Sequence, residues 1–273
     1  MTDQKRRILC IGAHPDDCEE MIGGTAALWA AAGHEVLFVS ATNGQTGHHV
    51  QGGAALAQRR IAEAAASAKV LGVQSRVLPI PNGELEPTLI YRRMFIRLIR
   101  ESAPDLIVTH RPNDYHPDHR YTSQLVQDST YLVMVPNNVP ETPALRYDPV
   151  VAYSCDNFRK PTPFTPDVVI SVDSVMDKKF DALHCHTSQM YEWLPWVNGR
   201  TDEVPADEAG RRAWLAQRRG GRNQKIADRF REQLLARYGP EAGAAVQYAE
   251  AFEGCEYGAG LDTQQIERFF GGL

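Results

Sequence analysis

The sequence of 273 residues predicts an α/β fold, with a Rossmann-like, mostly parallel sheet, helices on both of its faces and a helical C-terminal extension. Short apolar segments of strand length alternate with longer segments of helix length from residue 7 to residue 134. Such alternation implies right-handed crossovers between parallel strands. Beyond residue 190 the chain is polar and helix-forming, and the alternation does not return.

The first strand is expected at Arg7–Gly12, where the run RILCIG is typical of a parallel strand buried on both faces. An alanine-rich helix at 20–32 follows, and Gly72 ends the next helix because glycine readily adopts a left-handed C-terminal position. The other strands are expected at 35–41, 74–80, 105–109, 150–154 and 167–172. The other helices are expected at 54–72, 89–101 and 117–134, and through 179–186.

The length is sufficient for one sizeable hydrophobic core and does not require two. Proline-rich loops at 136–149 and 160–166 interrupt the regular pattern in the second half of the chain. We therefore expect one main α/β domain at 1–190 and a helical extension at 191–273 that packs on it.

The formal net charge of -5 and the isoelectric point near 6.0 argue against capture of nucleic acid or of an anionic membrane surface. The basic run Arg218-Arg219-Gly220-Gly221-Arg222 is short and is interpreted as solvated surface. No segment approaches the roughly 20 apolar residues of a membrane span. A small molecule is the expected partner, and a homo-oligomer is compatible with these features.

The five cysteines are odd in number, widely spaced and without a Cys-x-x-Cys pair, which favours a reducing compartment. The apolar run after Lys5 is too short for the core of a signal peptide. The expected location is the cytoplasm.

A first group of candidate site residues follows the first strand, where His14, Asp16 and Asp17 lie in the turn that leads into a helix. Ligands of open α/β sheets bind beyond the carboxyl ends of the strands. The alternative is that Asp16 or Asp17 caps the helix and that His14 is a loop residue.

A second group follows the fourth strand, where His116 and His119 lie three residues apart and therefore on one face of a helical turn. Together with the first group they match a catalytic zinc site, which uses three protein ligands plus water. Taken alone, the second group also fits surface or helix-cap chemistry, and spacing does not decide which histidine binds the metal.

The two groups together, His14-Pro15-Asp16-Asp17 and His116-Pro117-Asp118-His119, resemble the paired signature of the LmbE/PIG-L family of zinc-dependent deacetylases. The similarity covers residues 6 to 190 and continues at 42–44, 60–64 and 179–189. Members of that family remove the N-acetyl group from N-acetylglucosamine-type sugars and their conjugates.

The resemblance implies that Zn²⁺, or another divalent metal, is held by His14, Asp17 and His119. It further implies that Asp16 is the general base toward a water activated by the zinc, and that His116 steadies or protonates the tetrahedral intermediate.

Other residues receive less specific roles. Candidate substrate contacts are Arg60, Tyr115 and His186, and candidate carboxylates that orient the metal ligands are Glu19 and Asp118. Arg60 is about as compatible with an exposed pair with Glu63, and Tyr115 with a packing role. Trp193 and Trp196 fit core packing better than sugar stacking.

The leading hypothesis is therefore a zinc-dependent N-deacetylase, a carbon-nitrogen hydrolase of linear amides. Its alternatives are an amidase for a sugar-thiol conjugate and a non-catalytic sugar- or metal-binding protein on the same fold. A nucleotide-binding oxidoreductase or transferase is disfavoured, because the first turn has two aspartates where such proteins carry Gly-x-Gly-x-x-Gly. A serine hydrolase lacks support, since the chain has no Gly-x-Ser-x-Gly motif.

Overall fold

The computed structural model describes residues 5–273, and their strands form one seven-stranded sheet in the order β3-β2-β1-β4-β5-β7-β6. The strands are β1 (Arg7–Gly12), β2 (Glu35–Ser40), β3 (Gln74–Val77), β4 (Leu106–Thr109), β5 (Val150–Ser154), β6 (Val168–Ser171) and β7 (Ala249–Gly254). Strands β1 to β5 are mutually parallel, and β7 runs antiparallel between β5 and β6. The predicted α/β fold with a mostly parallel sheet is confirmed.

Ten α-helices connect the strands in the described part of the chain. They are α1 (Asp17–Ala31), α2 (Gly53–Leu71), α3 (Leu89–Ser102), α4 (Pro117–Ser129), α5 (Met176–His184), α6 (Leu194–Val197), α7 (Glu208–Arg229), α8 (Arg231–Tyr238), α9 (Pro240–Ala245) and α10 (Thr263–Phe270). Helix α1 starts three residues earlier than predicted, so Asp17 belongs to its first turn.

The helix predicted at 117–134 ends at Ser129 and is followed by a 3-10 turn, Tyr131–Met134. The buried guanidinium of Arg100 donates hydrogen bonds to carbonyl oxygens of the segment 132–142, including those of Val133 and Thr142. These bonds satisfy backbone acceptors outside a helix. They come from a side chain of α3, so the local sequence does not reveal them.

Strand β1 shows why the sheet is covered on both faces. Ile8 and Cys10 belong to the core on one face with Trp29 of α1, whereas Leu9 and Ile11 belong to the core on the other face with Phe95 of α3. Successive side chains of a strand point to opposite faces, so a wholly apolar strand needs an apolar partner on each side. The five cysteines are free, and all but Cys185 are buried, where a thiol packs as a small apolar group.

The segment 191–273, which the sequence predicts as helical, also contributes strand β7, which lies between β5 and the edge strand β6. This strand carries Glu250, which is 1% exposed and whose carboxylate lies 2.7 Å from Nζ of the equally buried Lys179. Glu250 also accepts hydrogen bonds from Gly24 N and Thr25 N of α1. A strand with a buried charge resembles a polar surface segment in sequence, which explains why it was not predicted.

Within residues 5–273, no helix combines the length and the apolar character that crossing a membrane requires.

Candidate metal centre and active site

The two predicted groups of site residues meet at the carboxyl edge of the sheet. Strands β1 and β4 are neighbours, and Ile11 pairs with Thr109 near their carboxyl ends. The chain segments that follow therefore run side by side, and Ala13 N donates a hydrogen bond to Nε2 of His110 at 3.0 Å. Residues a hundred positions apart thus share one rim.

Three potential ligand atoms face one another at this rim. Asp17 Oδ2 lies 3.3 Å from His14 Nδ1 and 3.5 Å from His119 Nε2. The two histidine nitrogens are 3.3 Å apart. Ligands held about 2.0–2.1 Å from a tetrahedral zinc are separated by about 3.3–3.5 Å. The arrangement therefore fits a single divalent ion.

Two carboxylates orient the histidines of this set. Asp118, which is fully buried, places Oδ2 3.1 Å from His14 Nε2 and also accepts the backbone N–H of Gly83. Asp114 Oδ2 lies 3.2 Å from His119 Nδ1. Each imidazole thus has one nitrogen beside a carboxylate and the other toward the ligand set, as is usual for metal-binding histidines. The sequence singles out Asp118, whereas Asp114 was missed; its position just after a strand end is the only signal for it.

The charged groups of this cluster stabilise one another. Burial acts to lower the pKa of His14, but the charge of Asp17 and hydrogen bonds to Asp118 and Asp17 raise it to about 9. Burial likewise opposes ionisation of Asp17, yet His119 and His14 hold its pKa well below the usual range. Asp17 therefore remains ionised and available to a cation.

His110 is a site residue that the sequence did not single out. Its ring stacks on that of His119 with centroids 4.1 Å apart, and Nε2 lies 3.3 Å from Asp17 Oδ2. Geometry alone therefore gives a second possible ligand group of Asp17, His110 and His119, beside one of His14, His116 and His119. Because His110 Nε2 already accepts the Ala13 N–H, we assign His110 to packing the site. Its only sequence signal is its position directly after β4.

Asp16 points to a different partner from Asp17. Its Oδ1 lies 3.1 Å from Nη2 of Arg60, which also donates to the Pro15 carbonyl at 2.9 Å. Burial raises the pKa of Asp16, while the charge of Arg60 opposes that rise. Arg60 is 2% exposed. The alternative of an exposed Arg60 paired with Glu63 is wrong, because Arg59 makes that pair.

The loop at 42–47 provides space for Arg60. Gly44 has a φ of +71°, and a Cβ atom placed on it would lie 2.6 and 2.8 Å from Cδ and Cζ of Arg60. Glycine satisfies both the left-handed backbone and the close approach.

His116 is both the N-cap of α4 and a cavity residue. Its Nδ1 accepts the backbone N–H of Asp118 at 3.1 Å, so Nε2 carries the proton of the neutral ring. Burial, followed by the charges of His14 and His119, lowers the pKa of His116 to about 4. Tyr115 is 73% exposed and lies at the cavity with its ring edge-on to His116.

Two residues of the predicted site lie behind the cavity instead of lining it. His186 is fully buried, and its Nε2 lies 3.2 Å from Oε1 of Glu19. The pair joins α1 to the chain after α5, and neither side chain lines the cavity. His186 therefore lies outside the cavity lining, and Glu19 faces His186 and not a proposed metal ligand.

The cavity in front of the cluster has a volume of about 490 Å³. Part of its wall comes from a short π-helix, Ser188–Trp193, which contributes Gln189 and Trp193. Trp193 thus faces the cavity and stacks on Trp196, 5.5 Å away between ring centroids. Helix α7 contributes Arg219 and Arg222, which the sequence assigns to solvated surface.

Comparison with known proteins places this chain in a family. Residues 9–130 match the family described as PIG-L: GlcNAc-PI de-N-acetylase. The chain is 30% identical over 201 residues to diacetylchitobiose deacetylase of Thermococcus kodakarensis, an alignment that covers 70% of this chain and 73% of that protein. The chain belongs to the PIG-L (LmbE) family.

Two further proteins are similar to this chain, one in structure and one in sequence. The structure of N,N'-diacetylchitobiose deacetylase from Pyrococcus horikoshii superimposes with a TM-score of 0.69 and 24% identity, covering 92% of this chain and 84% of that one. In sequence, 4-oxalmesaconate hydratase of Pseudomonas putida is 23% identical, covering 71% of this chain and 78% of that protein. The chain is thus similar to proteins named for two different reactions.

Proposed function

We propose that this PIG-L family member is a metal-dependent hydrolase that removes the N-acetyl group from an N-acetylglucosamine-type sugar or its conjugate. The observation that carries the proposal is the set of three ligand atoms of His14, Asp17 and His119, 3.3–3.5 Å apart, in a cavity that Asp16 also lines. The name of the Thermococcus relative, a deacetylase of a GlcNAc-type sugar, supports the same reaction.

In this proposal His14, Asp17 and His119 hold one divalent ion, for which zinc suits the donor set of two imidazoles and a carboxylate. When bound, the ion would act as a Lewis acid that polarises the amide carbonyl and lowers the pKa of water. The hydrogen bond of Asp118 fixes the tautomer of His14 that this ligand set needs, and Asp114 lies beside Nδ1 of His119.

Asp16 acts as the general base. It accepts the proton of the attacking water, and its raised pKa suits a group that must take up a proton and later release it. Arg60 holds the Asp16 carboxylate in place through the 3.1 Å contact. The proton then passes to the leaving nitrogen, so that acetate and a free amine result.

His116 acts on the other side of the reacting carbon. Its neutral ring keeps a proton on Nε2, because Nδ1 is occupied by the N-cap hydrogen bond. That N–H donates to the carbonyl oxygen as negative charge develops on it. Tyr115 at the cavity mouth contributes its hydroxyl to substrate binding.

The deciding experiment measures two reactions on one preparation. Purified protein is loaded with Zn²⁺, and released acetate is followed with N-acetylglucosamine and N,N'-diacetylchitobiose, with chelated protein as the control. In parallel, addition of water to 4-oxalmesaconate is followed, because the Pseudomonas relative is named for that reaction.

We expect acetate release that needs about one metal ion per chain and stops on chelation. Hydration of 4-oxalmesaconate without acetate release would replace the proposal by a hydratase. Sugar binding without either turnover would instead indicate a non-catalytic binding protein.

A further inference from the structure

We infer that Arg219 and Arg222 of α7 bind an anionic group, a carboxylate or a phosphate, on the substrate that occupies the cavity. The inference rests on the proposed function for the identity of the reacting group. It adds that the substrate carries a negative charge in the part that lies against α7.

The two arginines are three residues apart on one helix, so they share a face, and both line the cavity. The small residues between them allow α7 to pack closely. Gly220 is buried, and a Cβ atom there would lie 3.2 Å from Cζ of Phe180 and 3.4 Å from Cε1 of Tyr248. The packing of Gly220 therefore turns the face with Arg219 and Arg222 toward the cavity.

The charges on this wall do not cancel. Arg219 Nη1 lies 3.3 Å from Oε1 of Glu20, which also lines the cavity. Arg222 has no carboxylate partner among residues 5–273, and its Nη2 donates to the Cys155 carbonyl at 3.0 Å. Burial acts to raise the pKa of Glu20, but Arg219 and then Arg222 lower it, which shows that both cations act on the same wall. Two guanidiniums and one carboxylate leave one net positive charge.

The other two arginines of the cavity, Arg60 and Arg111, already have partners within the protein. Arg60 pairs with Asp16, and Arg111 is 3% exposed, pairs with Asp156 and donates to the Thr162 carbonyl. Arg222, in contrast, is exposed. A guanidinium binds carboxylate or phosphate through two parallel N–H donors. Within residues 5–273, Arg219 beside Glu20 and Arg222 beside the Cys155 carbonyl are the cavity arginines that keep donors available.

Arg218 provides a matched control on the same helix. It forms an ion pair with Glu203, its guanidinium lies 4.9 Å from the centroid of the Trp214 ring, and it does not line this cavity. An Arg218→Ala variant removes the same charge from α7 without touching the inferred subsite.

The test compares N-acetylglucosamine with derivatives that carry an added anionic group. Binding of N-acetylglucosamine, its 6-phosphate, its 1-phosphate and N-acetylmuramic acid is measured by calorimetry in the Zn²⁺-loaded Asp16→Asn protein. The same protein is then measured with Arg222→Ala or Arg218→Ala added. Acetate release is measured with the same four sugars in proteins that retain Asp16.

We expect at least one charged sugar to bind about 10- to 100-fold more tightly than N-acetylglucosamine. Arg222→Ala should remove that preference and leave the neutral sugar unchanged, and Arg218→Ala should preserve it. The two phosphates and N-acetylmuramic acid then separate phosphate from carboxylate as the recognised group.

The outcomes separate the inference from the proposed function. Acetate release with no preference for a charged sugar, or a preference that survives Arg222→Ala, would overturn the inference and leave the deacetylase intact. Arg222-dependent binding without acetate release from any sugar would support the anion subsite and contradict the deacetylase.

Discussion

The carboxylate of Asp118 lies 3.1 Å from Nε2 of His14, although His14 lies in the loop after β1 and Asp118 in the first turn of α4, after β4. This contact fixes the ring of His14 so that Nδ1 faces Asp17 and His119. A carboxylate on the far nitrogen also makes an imidazole a better ligand.

Replacing Asp118 with asparagine should therefore weaken metal binding about 10- to 100-fold, because the amide keeps the shape but loses the charge. Competition with a chelator of known affinity measures the change, and circular dichroism checks that the fold is retained. An unchanged affinity for Zn²⁺ would show that Asp118 serves only the Gly83 backbone.

The Asp16→Asn variant should retain about one metal ion per chain and lose acetate release by about 10²- to 10⁴-fold, since Asp16 is proposed to move the proton and not to bind metal. Metal analysis and the acetate assay on the same sample measure both. If turnover persisted at the wild-type rate, another group would have to be the base.

The Gly44→Ala variant should disturb Arg60 and, through it, the Asp16 carboxylate, because the new Cβ atom meets the Arg60 side chain. Gly33→Ala is its control, since Gly33 also has a positive φ of +85° but no atom within 4 Å of an added Cβ. We expect the left-handed backbone to lower the free energy of unfolding of both variants by about 1–2 kcal/mol. The clash with Arg60 should lower that of Gly44→Ala by about 1–3 kcal/mol more.

Urea unfolding of both glycine variants, combined with the acetate assay, separates the two effects. Equal losses of stability in the two variants, with activity intact in Gly44→Ala, would contradict the proposed coupling to Arg60.

The Lys179→Met variant should lower the free energy of unfolding by about 3–5 kcal/mol, because it leaves the buried Glu250 carboxylate without its cation. The comparison is Glu101→Ala, which removes an exposed pair with Arg76 and should cost less than about 1 kcal/mol. Urea unfolding measures both. Similar small losses would mean that the backbone N–H groups of Gly24 and Thr25 satisfy Glu250 alone.

The sequence by itself determined the α/β alternation, because apolar strands such as Arg7–Gly12 carry their own signal of burial. It also determined that the segments around His14 and His119 meet, since the ends of parallel strands share one edge of a sheet.

Only the tertiary structure decided which partners those residues have. Asp114 and His110 both contact the ring of His119, and these contacts depend on how that ring is oriented in the ligand cluster. Arg222 belongs to a basic segment that the sequence predicts to be solvated surface. It lines the cavity because α7 packs beside that cavity. Strand β7 is not recognisable in the sequence for the same reason: the charge of Glu250 is compensated inside the protein by Lys179, 71 residues away, and by backbone N–H groups of α1. Contacts between distant segments depend on how elements pack, and a local pattern of polar residues does not contain that information.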